Sequence, residues 1–218
     1  KISTAFSEKS DLQSALNQVC DLVSEFANLT LCEVWLPDIH QKNLRLLGKS
    51  VRLEISKLFY ADEEQIGQIA MGKGLPGMVL KNGSAQFWNH QDKASKFFRK
   101  NAAKQTGLKS AFGIPLRYQN ELIGVMILGT NSDGAFLSNQ MILLEQLETF
   151  LGVEIYRKRI ENDLHHLFES LPDLVCLMDF QGHFIKINQA GCELLGYSEN
   201  DIQGKPFNEF VHPADKEY

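Results

Sequence analysis

The sequence predicts an α+β sandwich: a helix, antiparallel strands, cross-connecting helices, two long strands and a return helix. Three stretches carry that prediction. Lys109 to Tyr118 and Glu121 to Thr130 read as a long hairpin turning at Gln119-Asn120. Within it, Val125 to Leu128 is apolar on both faces, which places the strand in mid-sheet with a covering layer on either side. Leu137 to Leu171 contains no Pro and one Gly, so it reads as a single helix of roughly 50 Å, longer than a domain of this size needs for its own core.

Composition bounds the class. A chain of 218 residues corresponds to one or two domains, and 44% hydrophobic with 22% charged residues is ordinary for a soluble globular protein. The net charge of -5 argues against nucleic acid as the main partner. Leu122 to Gly129, the longest uncharged apolar run, falls well short of the ~20 residues of a membrane span, so no membrane contact is expected within this segment. Lys1 to Ser10 is too polar for a signal peptide, and a start without Met reads as an excised fragment of a cytoplasmic protein. Cys20, Cys32, Cys176 and Cys192 lack CxxC spacing and each lies in apolar-periodic sequence, which predicts buried free thiols. His165-His166 is the one close pair of ligating type, but adjacent helix residues point about 100° apart, so no metal site is expected.

Along the chain, Ser10 and Gln13 suit a capping box, after which Leu12, Leu16, Val19, Val23 and Phe26 repeat at helical spacing. Thr30 to Leu36 is rich in strand formers and ends at Pro37-Asp38; with Leu44 to Leu47 across the polar turn His40 to Asn43 it predicts a hairpin. Val51 to Met71 reads as a variable loop holding a short helix after Asp62-Glu63-Glu64. Gly72 to Gly77 satisfies GxGxxG, and Gly67 to Gly74 lies one residue from a P-loop. Position 74 lacks the hydroxyl that would hold Mg2+, Gln65 to Ile69 is a poor strand, and no parallel repeat follows, so phosphate binding is not the favoured reading. The residues suit a short helix, Met78 to Lys81, with Pro76 at its first position and a stop at Asn82-Gly83. Ala85 to Trp88 is a short strand. Lys93, Lys96, Arg99, Lys100 and Lys104 surround Phe97 and Phe98, a solvated basic helix face with two Phe side chains turned inward, in preference to a surface for single-stranded nucleic acid.

The long helix carries two apolar stripes. Leu144, Leu147, Leu151 and Ile155 suit a face laid on the body of a domain. Leu143, Phe150, Val153, Ile160, Leu164, Leu167 and Leu171 fit one heptad register, with Gln146 and Arg157 as polar interruptions, a candidate coiled-coil seam. Beyond it Pro172-Asp173 stops the helix. Leu174 to Asp179 and His183 to Asn188 read as strands about a Gln181-Gly182 turn, and Ala190 to Leu195 as a short helix.

GKGLPGMVLKNGSAQFW followed by GLKSAFGIPLRYQNELIGVMILGT resembles a GAF domain, over roughly residues 8 to 155. The resemblance implies a central antiparallel sheet with a pocket on one face, N- and C-terminal helices on the other, and frequent dimer formation. LPDLVCLMDFQGHFIKINQAGCELLGYSENDIQGKPFNEFVHPAD resembles the first half of a PAS domain, with Asn188, Gly196-Tyr197, Gly204 and His212-Pro213 at the family's spacings. Two strands cannot bury both faces of a sheet, so this segment is expected to be marginal or completed by another chain. The expected organisation is a GAF domain over 1–155, a helical coiled-coil signalling linker over 156–171, and the N-terminal half of a PAS domain, a truncated α/β segment, over 172–218.

These resemblances imply a sensory fragment of a multidomain signalling protein, foremost a two-component sensor histidine kinase. The regulatory region of a cyclic-di-GMP synthase or phosphodiesterase and a ligand-free dimerisation module are the alternatives. For a small-molecule ligand, Trp35, Phe87, Trp88, Phe97, Phe98, Phe112 and Ile114 are the candidate pocket lining. Phe150, Val153, Arg157, Ile160, Leu164, Leu167 and Leu171 are the candidate dimer and signalling positions of a homodimer formed through the terminal helices. No catalytic residue is assigned. Some GAF proteins reduce free methionine sulfoxide with pocket cysteines, a remote alternative because Cys20 falls on a packed helix and Cys32 on the first strand. Signatures for bilin, flavin or cyclic-nucleotide binding are missing, so no cofactor is named, and the neighbours of His165-His166 do not form a phosphoacceptor box.

Overall fold

The computed structural model describes residues 2–9, 11–38, 40–51, 54–60, 67–89, 99–131 and 141–212, with backbone alone for 141–145. They divide into two compact units, Lys1–Arg159 and Ile160–Tyr218. The first unit begins with helices α1 (Ile2–Glu8) and α2 (Leu12–Ala27) and strands β1 (Leu31–Pro37) and β2 (Asn43–Lys49). Helix α3 (Glu54–Phe59), strand β3 (Gln68–Ala70), helix α4 (Gly74–Asn82), strand β4 (Gln86–Asn89) and helix α5 (Lys100–Gln105) follow. The strands β5 (Ser110–Tyr118) and β6 (Glu121–Thr130) come next, and helix α6 (Met141–Ser170) continues into the second unit.

The strands make one antiparallel sheet in the order β3-β2-β1-β6-β5-β4, with β6 in mid-sheet where its two apolar faces require it. Alternation along β1 divides the core in two. Cys32, Val34 and Leu36 face α2 and join Leu16, Val19, Met126, Leu128, Leu151 and Ile155 in one apolar cluster. Leu31 and Trp35 face the other way and join Phe59 of α3, Leu75 and Val79 of α4, Trp88 of β4 and Ala102 of α5.

Several local expectations shift. The α2 cap is Asp11, whose carboxylate accepts from Ser14 N at 2.8 Å; Ser10 lies outside the described residues. Its expected apolar stripe is buried as far as Val23, but Phe26 is 77% exposed. Helix α4 starts at Gly74 and not Met78, so Pro76 is its third residue, still within the first turn where a missing N–H breaks no helical bond. Its end at Gly83, with φ of 62°, is the stop that Asn82-Gly83 indicates. Gln68–Ala70, read as poor strand sequence, forms the edge strand β3 against β2. Helix α4 crosses that edge so closely that a Cβ on Gly77 would lie 2.5 Å from the Ala70 carbonyl oxygen. That glycine therefore serves packing, and the antiparallel sheet around it offers no βαβ phosphate site. Asp62 to Glu64, Lys93, Lys96 and Pro213 lie outside the described residues.

In the second unit, strands β7 (Cys176–Met178) and β8 (Phe184–Ile187) pair antiparallel, followed by helices α7 (Gln189–Leu195) and α8 (Glu199–Ile202). Phe184, Ile187 and Ile202 form its small core. Asn188 is fully buried and ties this unit together. Its Oδ1 accepts from Val175 N and Gly191 N, both at 3.0 Å, and its Nδ2 donates to Asp173 O at 2.9 Å. All four cysteines are free, as expected, but only Cys20 and Cys32 are buried; Cys176 and Cys192 are half-buried in this thinner unit.

Gly77→Ala is expected to destabilise the chain by about 1–3 kcal/mol, because the obstructing atom is backbone and cannot rotate away. A lower urea midpoint with unchanged slope is the expected result.

Candidate functional site

The site grows from one residue. Glu33 is the only charged side chain on β1, and it points to the α3/α4 face, where its carboxylate is 1% exposed. A buried carboxylate needs donors and a countercharge. Trp35, two residues along the same strand face, donates its indole N–H to Oε2 at 2.9 Å. Tyr60, just after α3, donates its hydroxyl to Oε1 at 2.9 Å. Arg99, the N-cap of α5, brings Nη2 to 2.6 Å from Oε1. Its guanidinium lies 4.6 Å from the centre of the Phe59 ring and 5.6 Å from that of Tyr60. Burial works against the charge on Arg99, but Glu33 and Tyr60 together outweigh it and the pKa stands above the usual arginine value. Burial, reinforced by Glu33, likewise pushes the Tyr60 hydroxyl well up, so Tyr60 remains a donor.

Above this cluster lies a cavity of about 50 Å3. Leu31, Glu33, Trp88, Ala111 and Ile127 line it from the sheet, Phe59, Leu75 and Pro76 from α3 and α4, and Arg99 from the start of α5. Among the described residues the wall is apolar apart from the Glu33–Arg99 pair.

The residues expected to form the pocket do not all meet there. Trp88 lines the cavity, and Trp35 lies beneath it holding Glu33. Phe112 and Ile114 belong to the opposite face, packed in the cluster with α2 and α6, because Ala111 and Gly113 take the cavity side of β5. Phe87 is paired in register with Phe112, and it is 41% exposed. These three are therefore not cavity residues. Phe97 and Phe98 lie outside the described residues. Arg99, expected on a solvated face, is instead an inward cation. Sequence reasoning missed Glu33, whose signal was a lone acid in the apolar run LCEVWLP. Cys20 and Cys32 lie behind the sheet, away from the cavity, and burial pushes the Cys20 thiol well above its ordinary pKa.

One residue links the cavity side to α6. Arg117, near the end of β5, donates from Nη2 to the Gly83 carbonyl at the C-cap of α4 and from Nη1 to Asn120 O. Its Nε lies 3.3 Å from Glu148 Oε1 on α6. Helix α6 presses on this point: a Cβ on Gly152 would meet the Arg117 carbonyl oxygen at 1.8 Å, and the rings of Tyr118 and Tyr156 stack at 3.8 Å. The other end of α4, at Gly74 to Pro76, lines the cavity.

Along α6, Leu151 and Ile155 are fully buried. Phe150, Val153, Ile160, Leu164, Leu167 and Leu171 are exposed by 39% to 61%. Arg157 is held by Glu154 at 2.7 Å. His165 accepts at Nδ1 from Lys186 Nζ at 3.0 Å, and its ring lies 6.3 Å from that of His166.

Arg99→Ala leaves Glu33 buried without its cation and is expected to cost about 3–5 kcal/mol. The double variant Glu33→Gln, Arg99→Met removes both charges and is expected to regain most of that loss in urea unfolding. Equal loss in both variants would show that the charge itself is not what matters.

A family model for the GAF domain matches residues 9–155, and one for the PAS fold matches residues 162–218. No curated protein matches the chain. Similar solved structures include the A. aeolicus nlh2 GAF domain in an inactive state, 15% identical with a TM-score of 0.57, covering 72% of this chain and 92% of that one. Free methionine-R-sulfoxide reductase from Neisseria meningitidis, solved with its substrate, is 17% identical with a TM-score of 0.57, covering 73% and 87%. The GAF domain of a two-component sensor histidine kinase from Bacillus halodurans is 20% identical with a TM-score of 0.50, covering 66% and 95%. At these identities the likeness is one of fold. With an antiparallel sheet, a cavity on one face, terminal helices on the other and a family match over most of its length, the chain belongs to the GAF domain family and carries a PAS fold after it.

Proposed function

We propose that the chain is the sensory and regulatory segment of a cytoplasmic signalling protein, a two-component sensor histidine kinase. A small molecule engages the cavity face of its GAF domain. The change passes through α6, paired with its copy in a homodimer, to the PAS segment and an output domain. In this reading residues 1–155 sense, 156–171 transmit and 172–218 receive.

The observation that carries the reading is the Arg117 bridge. It joins the C-cap of α4, a helix whose first turn lines the cavity, to Glu148 on the outgoing helix. The exposed apolar positions of α6, with Leu171 just past its end, supply the dimer seam, with spacing 3,4,3,4,3,4 when the polar Arg157 is counted. Magnitudes favour the cavity as the control point. Moving a two-state helix pair from 1:99 to 99:1 requires about 5.5 kcal/mol of differential binding. Remaking a buried ion pair is worth energy of that order, whereas an exposed pair such as Arg157–Glu154 contributes about 0.3–0.5 kcal/mol.

Two experiments test the reading. Arg157→Leu is expected to tighten self-association and Leu164→Glu to loosen it in sedimentation equilibrium. Wild type and Arg157→Leu both monomeric at high micromolar concentration would remove the homodimer. Ala111→Val fills the cavity from within and is expected to alter amide hydrogen exchange of residues 150–159 in the chain with Arg117, but not in Arg117→Met. Unchanged exchange with Arg117 present would break the proposed link.

A further inference from the structure

The cavity is closed on one side by a cation belonging to the chain itself. Of the described residues lining it, only Glu33 and Arg99 carry charge. Glu33 is fixed: it sits on a strand flanked by two others and is held by Trp35 and Tyr60 as well as by Arg99. Arg99 is attached at the edge, as the residue before α5, and 16% of its side chain reaches solvent against 1% for Glu33. The place next to this buried carboxylate and over the faces of Phe59 and Tyr60 suits an organic cation. Here the guanidinium of Arg99 occupies it.

The free space is about 50 Å3, so a ligand of more than a few atoms gains room where Arg99 moves out of the wall. Charge decides which ligands can do so through Arg99. A neutral molecule in that place would leave Glu33 buried and unpaired. An anion would set a second negative charge beside it. A cation restores the pair, while the displaced guanidinium moves to water.

We propose that the cavity takes a small organic cation, a guanidinium or alkylammonium compound, which replaces the Arg99 guanidinium against Glu33 and the rings of Phe59 and Tyr60. This ligand class rests on the sensory reading given above. Net charge in the site is unchanged by the exchange, and release of Arg99 from the start of α5 is its conformational consequence.

Trp35 reports on the site, because its indole N–H is bonded to Glu33 and the chain has only two Trp residues. The full chain is titrated with methylguanidinium and with choline and followed by the proton–nitrogen signal of that indole. Urea serves as the neutral counterpart, sodium acetate as the anion and sodium chloride as the control for ionic strength. The expected result is saturable movement at low-millimolar concentration with at least one of the two cations and none with the other three. The response is expected to vanish in Glu33→Gln and to tighten by at least about tenfold in Arg99→Ala, where no internal cation competes. Should either variant fail to fold, the wild-type titrations decide. No saturable movement with either cation, or the same movement with sodium chloride, overturns the proposal. Movement with acetate or urea alone overturns the cation class but leaves the sensory reading intact. That reading fails separately, through an α6 insensitive to Ala111→Val.

Discussion

A carboxylate in the middle of an apolar sheet imposes conditions on everything around it. Glu33 sits on β1, between β2 and β6, where water cannot solvate it. Its removal from water costs several kcal/mol unless donors and a positive charge are supplied. Those come from three places in the chain: its own strand through Trp35, the end of α3 through Tyr60, and the start of α5 through Arg99. The layer over this face of the sheet is thus drawn together by a single acid, and the cavity is the space that this drawing-in leaves.

The opposite face follows different rules. There α2 and α6 lie on a continuous apolar cluster, and the two cysteines are enclosed as small apolar side chains. Separation of the faces makes communication between them a specific problem. Side chains on one side of a β-strand do not touch those on the other, so a change in the cavity reaches α6 only around an edge or along a strand end. Arg117 stands at such an end, with three polar contacts on α4, the β5–β6 turn and α6. The close seat of Gly152 on the same residue leaves little slack there.

Much of this architecture could be read from local sequence. The β5–β6 hairpin has its turn chemistry and apolar pattern within one stretch, and the first-unit part of α6 shows its buried stripe at Leu151 and Ile155 by period alone. The PAS segment announced itself through Asn188, a buried hydrogen-bonding hub whose neighbours lie close in sequence. What stayed hidden depended on distant partners. β3 is three residues held by pairing with β2 and by α4 packed across it, which propensity does not record. Phe112 and Ile114 were assigned to the wrong face because β5 is apolar on both sides and gives no parity signal. Arg99 looked like one more exposed base until Glu33, far away in the chain, was placed opposite it.

The central claim is that the guanidinium of Arg99 is locked to Glu33 and closes the cavity. Nitrogen-15 NMR of the arginine side chains tests it most directly, since a guanidinium held in a buried pair rotates slowly and its terminal nitrogens give separate signals. The account predicts slow rotation and solvent-protected protons at Arg99 in the wild-type chain, both lost in Glu33→Gln. A single, rapidly averaged Arg99 signal in the wild type, unchanged by Glu33→Gln, would contradict it.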